Sequence, residues 1–184
     1  MSITPLTAAE YAGGYIFAVD AGNHLLVIRP GVWNRKTICN LGVFVGDLAF
    51  DPTTNTMYAA VRYGSGDGMS KLVTLDVMTG ELTDVKDYGS TVVRNIAITD
   101  DGQFFASVRN KSDFYRLNSE TWELEPVISM AEDHIMPYYA DSMTYSHQDG
   151  RIYWAHYGTN DKTACMLVID PVTLTYEKKE LDHA

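Results

Sequence analysis

A strand–turn–strand pattern recurs along this chain, and recurrence at a fixed spacing restricts the fold more than any single motif. It reads GDLAFDPTTNTMYAAV at 46–61, RNIAITDDGQFFASV at 94–108 and DSMTYSHQDGRIYWAH at 141–156. Aligning Phe50, Ile98 and Tyr145 gives spacings of 48 and 47 residues, and YIFAV at 15–19 is a partial fourth copy. A second segment type follows each copy: HLLVIRPGVWNRKTI at 24–38, KLVTLDVMTGELTDV at 71–85, DFYRLNSETWELEPV at 113–127 and CMLVIDPVTLTYEKK at 165–179. In these, Ile28, Leu75, Leu117 and Ile169 correspond.

Each segment has the composition of a hairpin. Short β-branched and aromatic runs flank turns holding Asp-Pro, Asp-Gly, Thr-Gly or Pro-Gly. Thr79, Thr121 and Thr173 recur in the second turn, where a Thr hydroxyl bonds nearby backbone and favours the bend. No stretch shows a sustained 3.6-residue apolar period. Two hairpins per unit make four strands in about 47 residues, the size of a β-propeller blade. The expected fold class is therefore all-β, a β-propeller of four-stranded antiparallel blades, four in number, in one domain over 1–184. The blades run approximately 1–42, 43–89, 90–131 and 132–184. One such sheet buries both faces only by stacking on neighbours, so Tyr58, Ala60, Phe105, Tyr153 and Ala155 are expected inside the middle strands. Residues 3–11 carry Pro5 and no clean alternation, and form either a short inner strand or a plug. A closed ring, an arc of a larger propeller and an arc completed by a second copy all fit this arithmetic. An open arc leaves apolar blade faces that favour a homodimer.

The runs LAFDPTTNTMYAA and LVTLDVMTGEL resemble β-propeller repeats of bacterial cell-surface and secreted proteins. The likeness extends over nearly all of residues 14–180, without a WD dipeptide or complete kelch motifs. It implies a larger parent protein at the cell surface, with a carbohydrate or protein partner. It also implies an enzymatic alternative, since similar propellers host lactonases and sugar-processing enzymes.

Charge narrows the partners. With 14 basic and 24 acidic residues the formal charge is −10, which disfavours nucleic acid and a generally adhesive anionic-membrane surface. Apolar runs are only a few residues long, so no membrane insertion is expected. The N-terminus lacks a basic and then apolar leader pattern. An extracellular or cell-surface home is expected if the chain is cut from a longer precursor, and a cytoplasmic one if it is complete. Cys39 and Cys165 stand far apart and outside any CxxC, so they read as small buried thiols or one long-range bridge.

Propeller topology brings the loops between strands two and three of each blade to the same face as the loops between blades. Arg62, Tyr63, Tyr88, Arg94, Asp133, His134, Tyr138, Tyr139, Asp141 and Tyr157 fall on those loops and form the candidate ligand site. Aromatic rings cover the apolar faces of a sugar or peptide, and carboxylates accept from its hydroxyl groups. The connection SMAEDHIMPYYAD at 129–141 is the longest between blades and breaks the repeat, with Ile135 and Met136 as its apolar anchors. Trp154 and His156 alternate onto one face of a strand and read as core or blade-contact residues.

No GxSxG, HExxH or Walker motif is present, and no catalytic residue is assigned. Matched inner-strand positions hold Gly46, Arg94 and Asp141, then Asp47, Asn95 and Ser142. Neither set is a ring of carboxylates, so no metal or other cofactor is expected. The Gly64–Gly68 run lacks the Lys and the following helix of a phosphate loop. The expected function is a non-catalytic binding, adhesion or scaffold module. The alternative is a hydrolase or lyase using pocket carboxylates such as Asp133 and Asp141.

Overall fold

A computed structural model describes residues 4–64, 68–137, 141–157 and 164–181. Its regular elements are all strands, in four sheets of four consecutive antiparallel strands, the blades of a β-propeller. The chain divides into two compact units, Met1–Val92 and Val93–Ala184. In the first, blade 1 is β1 (Leu6–Ala12), β2 (Tyr15–Asp20), β3 (His24–Ile28) and β4 (Arg35–Asn40). Blade 2 is β5 (Phe44–Asp51), β6 (Thr56–Tyr63), β7 (Met69–Leu75) and β8 (Leu82–Gly89). In the second, blade 3 is β9 (Val93–Ile98), β10 (Phe104–Val108), β11 (Asp113–Leu117) and β12 (Leu124–Ser129). Blade 4 is β13 (Ser142–Ser146), β14 (Arg151–Tyr157), β15 (Ala164–Asp170) and β16 (Thr175–Glu180).

The register matches the repeat. Phe50, Ile98 and Tyr145 pair with Met57, Phe104 and Ile152, and Tyr11 with Ile16 is the fourth equivalent. Ile28, Leu75, Leu117 and Ile169 likewise pair with Arg35, Leu82, Leu124 and Tyr176. The N-terminal segment is an inner strand rather than a plug. A register shift between Leu6 and Ala8 absorbs its irregularity, and the buried Ala8 and Ala12 are small enough to bring β1 beside β5.

Each unit has its own core. Phe17, Val19, Leu25, Leu48, Met57 and Leu75 fill the first, and Phe105, Phe114, Ile152, Trp154 and Leu167 fill the second. Phe105 stacks on Phe114 at 5.5 Å, and Phe114 meets Trp154 of blade 4 at 6.1 Å. Such ring pairs add about 0.5–1.5 kcal/mol beyond area burial. Tyr58, Ala60 and Phe105 are buried as expected, whereas Tyr153 and Ala155 are half-buried. The Tyr153 hydroxyl instead donates to Asp149, 2.6 Å away.

The turns between strands three and four share one backbone. The amide of Trp33, Gly80, Trp122 or Leu174 donates to the carbonyl of Arg29, Asp76, Asn118 or Asp170, at 2.9, 2.7, 2.7 and 3.0 Å. All four donors have a left-handed φ, at 57°, 81°, 59° and 55°. Asp76, Asn118 and Asp170 also accept from two amides inside their turns. Thr79 and Thr121 accept from the amides of Glu81 and Glu123, the local bonding expected of them. Left-handed φ costs a residue with a Cβ about 1–2 kcal/mol, and only Gly80 escapes that cost. Gly80 also lies against the Cys39 thiol, where a Cβ has no room.

Candidate functional site

Each blade has a hairpin end, with the one–two and three–four turns, and a loop end, with the two–three loop and the entry to its first strand. The predicted site residues that are described lie at or near loop ends.

In the first unit, Asp20 closes β2 of blade 1. Its Oδ1 accepts from the amides of Gly22 at 2.8 Å and His24 at 3.0 Å, and lies 3.0 Å from His24 Nδ1. These bonds, the His24 amide first, hold the Asp20 carboxyl below its usual range. In blade 2 the Arg62 guanidinium sits over the Phe44 ring, 3.8 Å from its centre. The Tyr63 hydroxyl donates to both Asp87 oxygens at 2.7 Å, raising the phenol and lowering the carboxyl. Lys71 lies 5.1 Å from the Tyr63 ring centre and pairs with Asp84. Tyr88 is half-buried in β8, and its carbonyl accepts from the Thr91 amide. Arg62 and Tyr63 thus come together, tied to their own blade.

In the second unit, residues 129–137 of the connection are held by backbone bonds to the two–three loop of blade 3. The Asn110 amide donates to Pro137, and the Met130 amide to Ser112. Met130 and Ile135 are buried beneath it, whereas Met136 is exposed. His134 is exposed in a left-handed turn. Asp133 accepts a short bond from the Tyr176 hydroxyl of β16. Burial first, then this bond, pushes the Tyr176 phenol up to about 12. Asp133 and Asp141 therefore bond to different partners, Tyr176 and His156. Tyr138 and Tyr139 lie outside the described residues.

Asp141 has the most distinctive surroundings. Its Oδ1 lies 2.8 Å from His156 Nδ1, and the side chains are 0% and 2% exposed. The Tyr157 amide leans on the same oxygen at 3.4 Å, and the Tyr157 ring is exposed. Asn95 Nδ2 donates to the Asp141 carbonyl, and the Ser107 hydroxyl donates to Asn95 Oδ1, so the inner strand of blade 3 fixes this backbone. Arg94 precedes Asn95 in β9 and is half-buried. Trp154 meets His156 edge-on at 5.9 Å. With Nδ1 donating to Asp141, the other imidazole nitrogen remains. His156 Nε2, Asp141 Oδ2 and Trp154 Nε1 are buried with no hydrogen-bond partner among the described residues. Of these, the indole nitrogen is a donor, whereas the carboxylate oxygen and the imidazole nitrogen left by a donating Nδ1 are acceptors.

Solved structures with this fold are similar over almost the whole chain. An auxiliary nutrient binding protein from Bacteroides thetaiotaomicron matches with a TM-score of 0.65 at 10% identity, covering 97% of this chain and 43% of that one. TolB from Acinetobacter baumannii matches at 0.62 and 13%, covering 98% and 45%. A catalytically inactive H270A virginiamycin B lyase from Staphylococcus aureus, bound to quinupristin, matches at 0.59 and 8%, covering 97% and 56%. The likeness is one of fold alone. The chain spans about half the length of these three structures. No protein-family model matches it, and neither does any curated protein.

The sequence singles out Asp141 and marks His156 as a core or blade-contact residue, and His156 is indeed buried, but their pairing was not foreseen. The missing signal was register. Ser142 pairs with Ala155, so the residues just outside that pair, Asp141 and His156, meet. Among the described residues no three His, Cys, Asp or Glu side chains converge as a metal set. Cys39 and Cys165 are not joined in a disulfide, and Cys165 is buried and Cys39 half-buried.

Proposed function

We propose that this chain is a ligand-binding module of β-propeller type, with its site at the loop end of the second unit. The observation that carries this reading is the buried Asp141–His156 pair, whose imidazole Nε2 and carboxylate Oδ2 have no hydrogen-bond partner among the described residues, next in the strand to the exposed Tyr157. In this reading Tyr157 supplies an aromatic platform at the same loop end, and the polar atoms of the pair take a hydroxyl-bearing ligand such as a carbohydrate. Arg94, His134, Tyr138 and Tyr139 are assigned to its rim by their place in the sequence. The parent protein at a cell surface, with a carbohydrate or protein partner, remains part of this proposal. A glycan array followed by calorimetry tests it. Tyr157→Ala and Tyr138→Ala/Tyr139→Ala should lose binding with the unfolding midpoint kept, and unchanged affinity in both removes the site.

A second reading follows from the same pair. A carboxylate on Nδ1 orients an imidazole so that Nε2 takes a proton, the arrangement of a general base. Lyases stand among the similar structures. Turnover of a lactone or uronate panel that His156→Gln abolishes would favour the enzyme, and binding without turnover favours the module.

A further inference from the structure

One hairpin of the first unit combines three features found together nowhere else among the described residues. Trp33 holds the left-handed position of its turn, as Trp122 and Leu174 do in theirs. Trp122 uses its ring, packing edge-on against Phe104 at 4.9 Å, and Leu174 packs against the core of its unit. Trp33 instead leaves its indole 71% exposed beside Val32 at 61%. The surrounding charge is also unusual. From Ala21 through Gly46 there is no Asp or Glu, while Arg29, Arg35 and Lys36 all lie exposed around the tip. The other 11 basic and 24 acidic residues leave the rest of the chain at −13. An exposed Trp ringed by Arg is the composition of an interface anchor, and this one is complementary to an acidic surface.

The same unit holds a complementary recess. A cleft of about 460 Å³ at its hairpin end is lined by Phe17, Phe50, Met57, Leu75 and Val77, with Asp76 among its polar residues. Asp76 is exposed, and the Met78 and Thr79 amides favour its ionised form. Gly13, at the tip of the β1–β2 turn, also lines the cleft without a side chain to close it. The corresponding cleft of the second unit is lined instead by Asp100, Asp101, Asp149, Arg151 and Asp170.

We propose that the chain associates with a second copy of itself by seating Trp33 in this apolar cleft, with the basic hairpin set against the partner's acidic surface. The contact joins two different patches, so two such contacts close a two-fold pair when each copy serves both roles. The proposal rests on the first unit and is independent of the Asp141–His156 site.

Sedimentation velocity of the full chain over a concentration series, with tryptophan emission, tests it. The expected result is a concentration-dependent dimer that weakens with salt, with emission shifting blue as it forms. Trp33→Gly should weaken association about tenfold or more. Its unfolding midpoint should be kept or raised, because Gly suits the left-handed φ, as Gly80 shows in blade 2. Asp76→Asn keeps a side chain that caps the equivalent turn as Asn118 and should weaken association several-fold. A wild-type chain that stays monomeric throughout overturns the proposal, as does association indifferent to both substitutions. A blue shift seen only on adding vesicles of phosphatidylcholine and phosphatidylserine, with no dimer, overturns it in favour of a lipid surface.

Discussion

Two histidine–aspartate pairs stand at loop ends, one in each unit. Asp20 lies 3.0 Å from His24, and Asp141 2.8 Å from His156. Their settings separate them. The His24 side chain is 45% exposed, and Asp20 mainly serves the turn by accepting two amides. His156 and Asp141 are buried, and each retains a polar atom with no partner among the described residues. Ion-pair distance alone therefore does not define a site. Solvent screens the first pair, whereas burial makes the loss of either partner costly in the second.

Breaking the buried pair should have the largest effect. Asp141→Ala leaves the imidazole without its acceptor and should cost about 3–5 kcal/mol in urea unfolding. A double-mutant cycle with His156→Leu should return a coupling above about 1 kcal/mol, and additivity would mean the pair is not a unit. Next comes Trp122→Gly, which removes the contact with Phe104 while relieving the left-handed φ, for a net loss of about 1–2 kcal/mol. Trp33→Gly, with the same relief and little packing to lose, should be neutral or stabilising.

A smaller effect sharpens the second unit's loop end. The Tyr176 phenol is raised in the fold from 10.0 to about 12. The folded chain therefore holds a proton the unfolded chain releases, so this contribution is complete below pH 10 and disappears as pH rises towards 12. Tyr176→Phe should flatten that part of the stability profile, and a profile it leaves unchanged would reject the assignment. The smallest effect should come from His24→Gln. The Asp20 carboxylate keeps its bonds to the Gly22 and residue-24 amides, so thermal unfolding should shift little.

The fold is largely legible in the sequence. Phe50, Ile98 and Tyr145 stand at one sheet position because turn residues and β-branched runs are local signals that repeat with the blades. The inner strand of blade 1 was harder. Its alternation is blurred at the shift between Leu6 and Ala8, and its core residues are alanines, which mark burial weakly. The candidate site was less legible. Asp141 stood out by its place in an interrupted repeat, whereas His156 looked like any alternating inward residue.

Strand number, hairpin pairing and turn chemistry each depend on residues a few positions apart, so they can be read along the chain. Which polar atoms lose water is set by packing in three dimensions. Asp20 and Asp141 are the same residue type beside the same ring. Their difference comes from the neighbouring strands, with Asn95 and Ser107 of blade 3 holding the Asp141 backbone across more than forty residues of chain. Packing decided the fate of the two turn tryptophans as well. Their backbones match, but Trp122 has Phe104 within reach and Trp33 meets solvent. Burial depends on what packs nearby in space, and a local pattern does not carry that information.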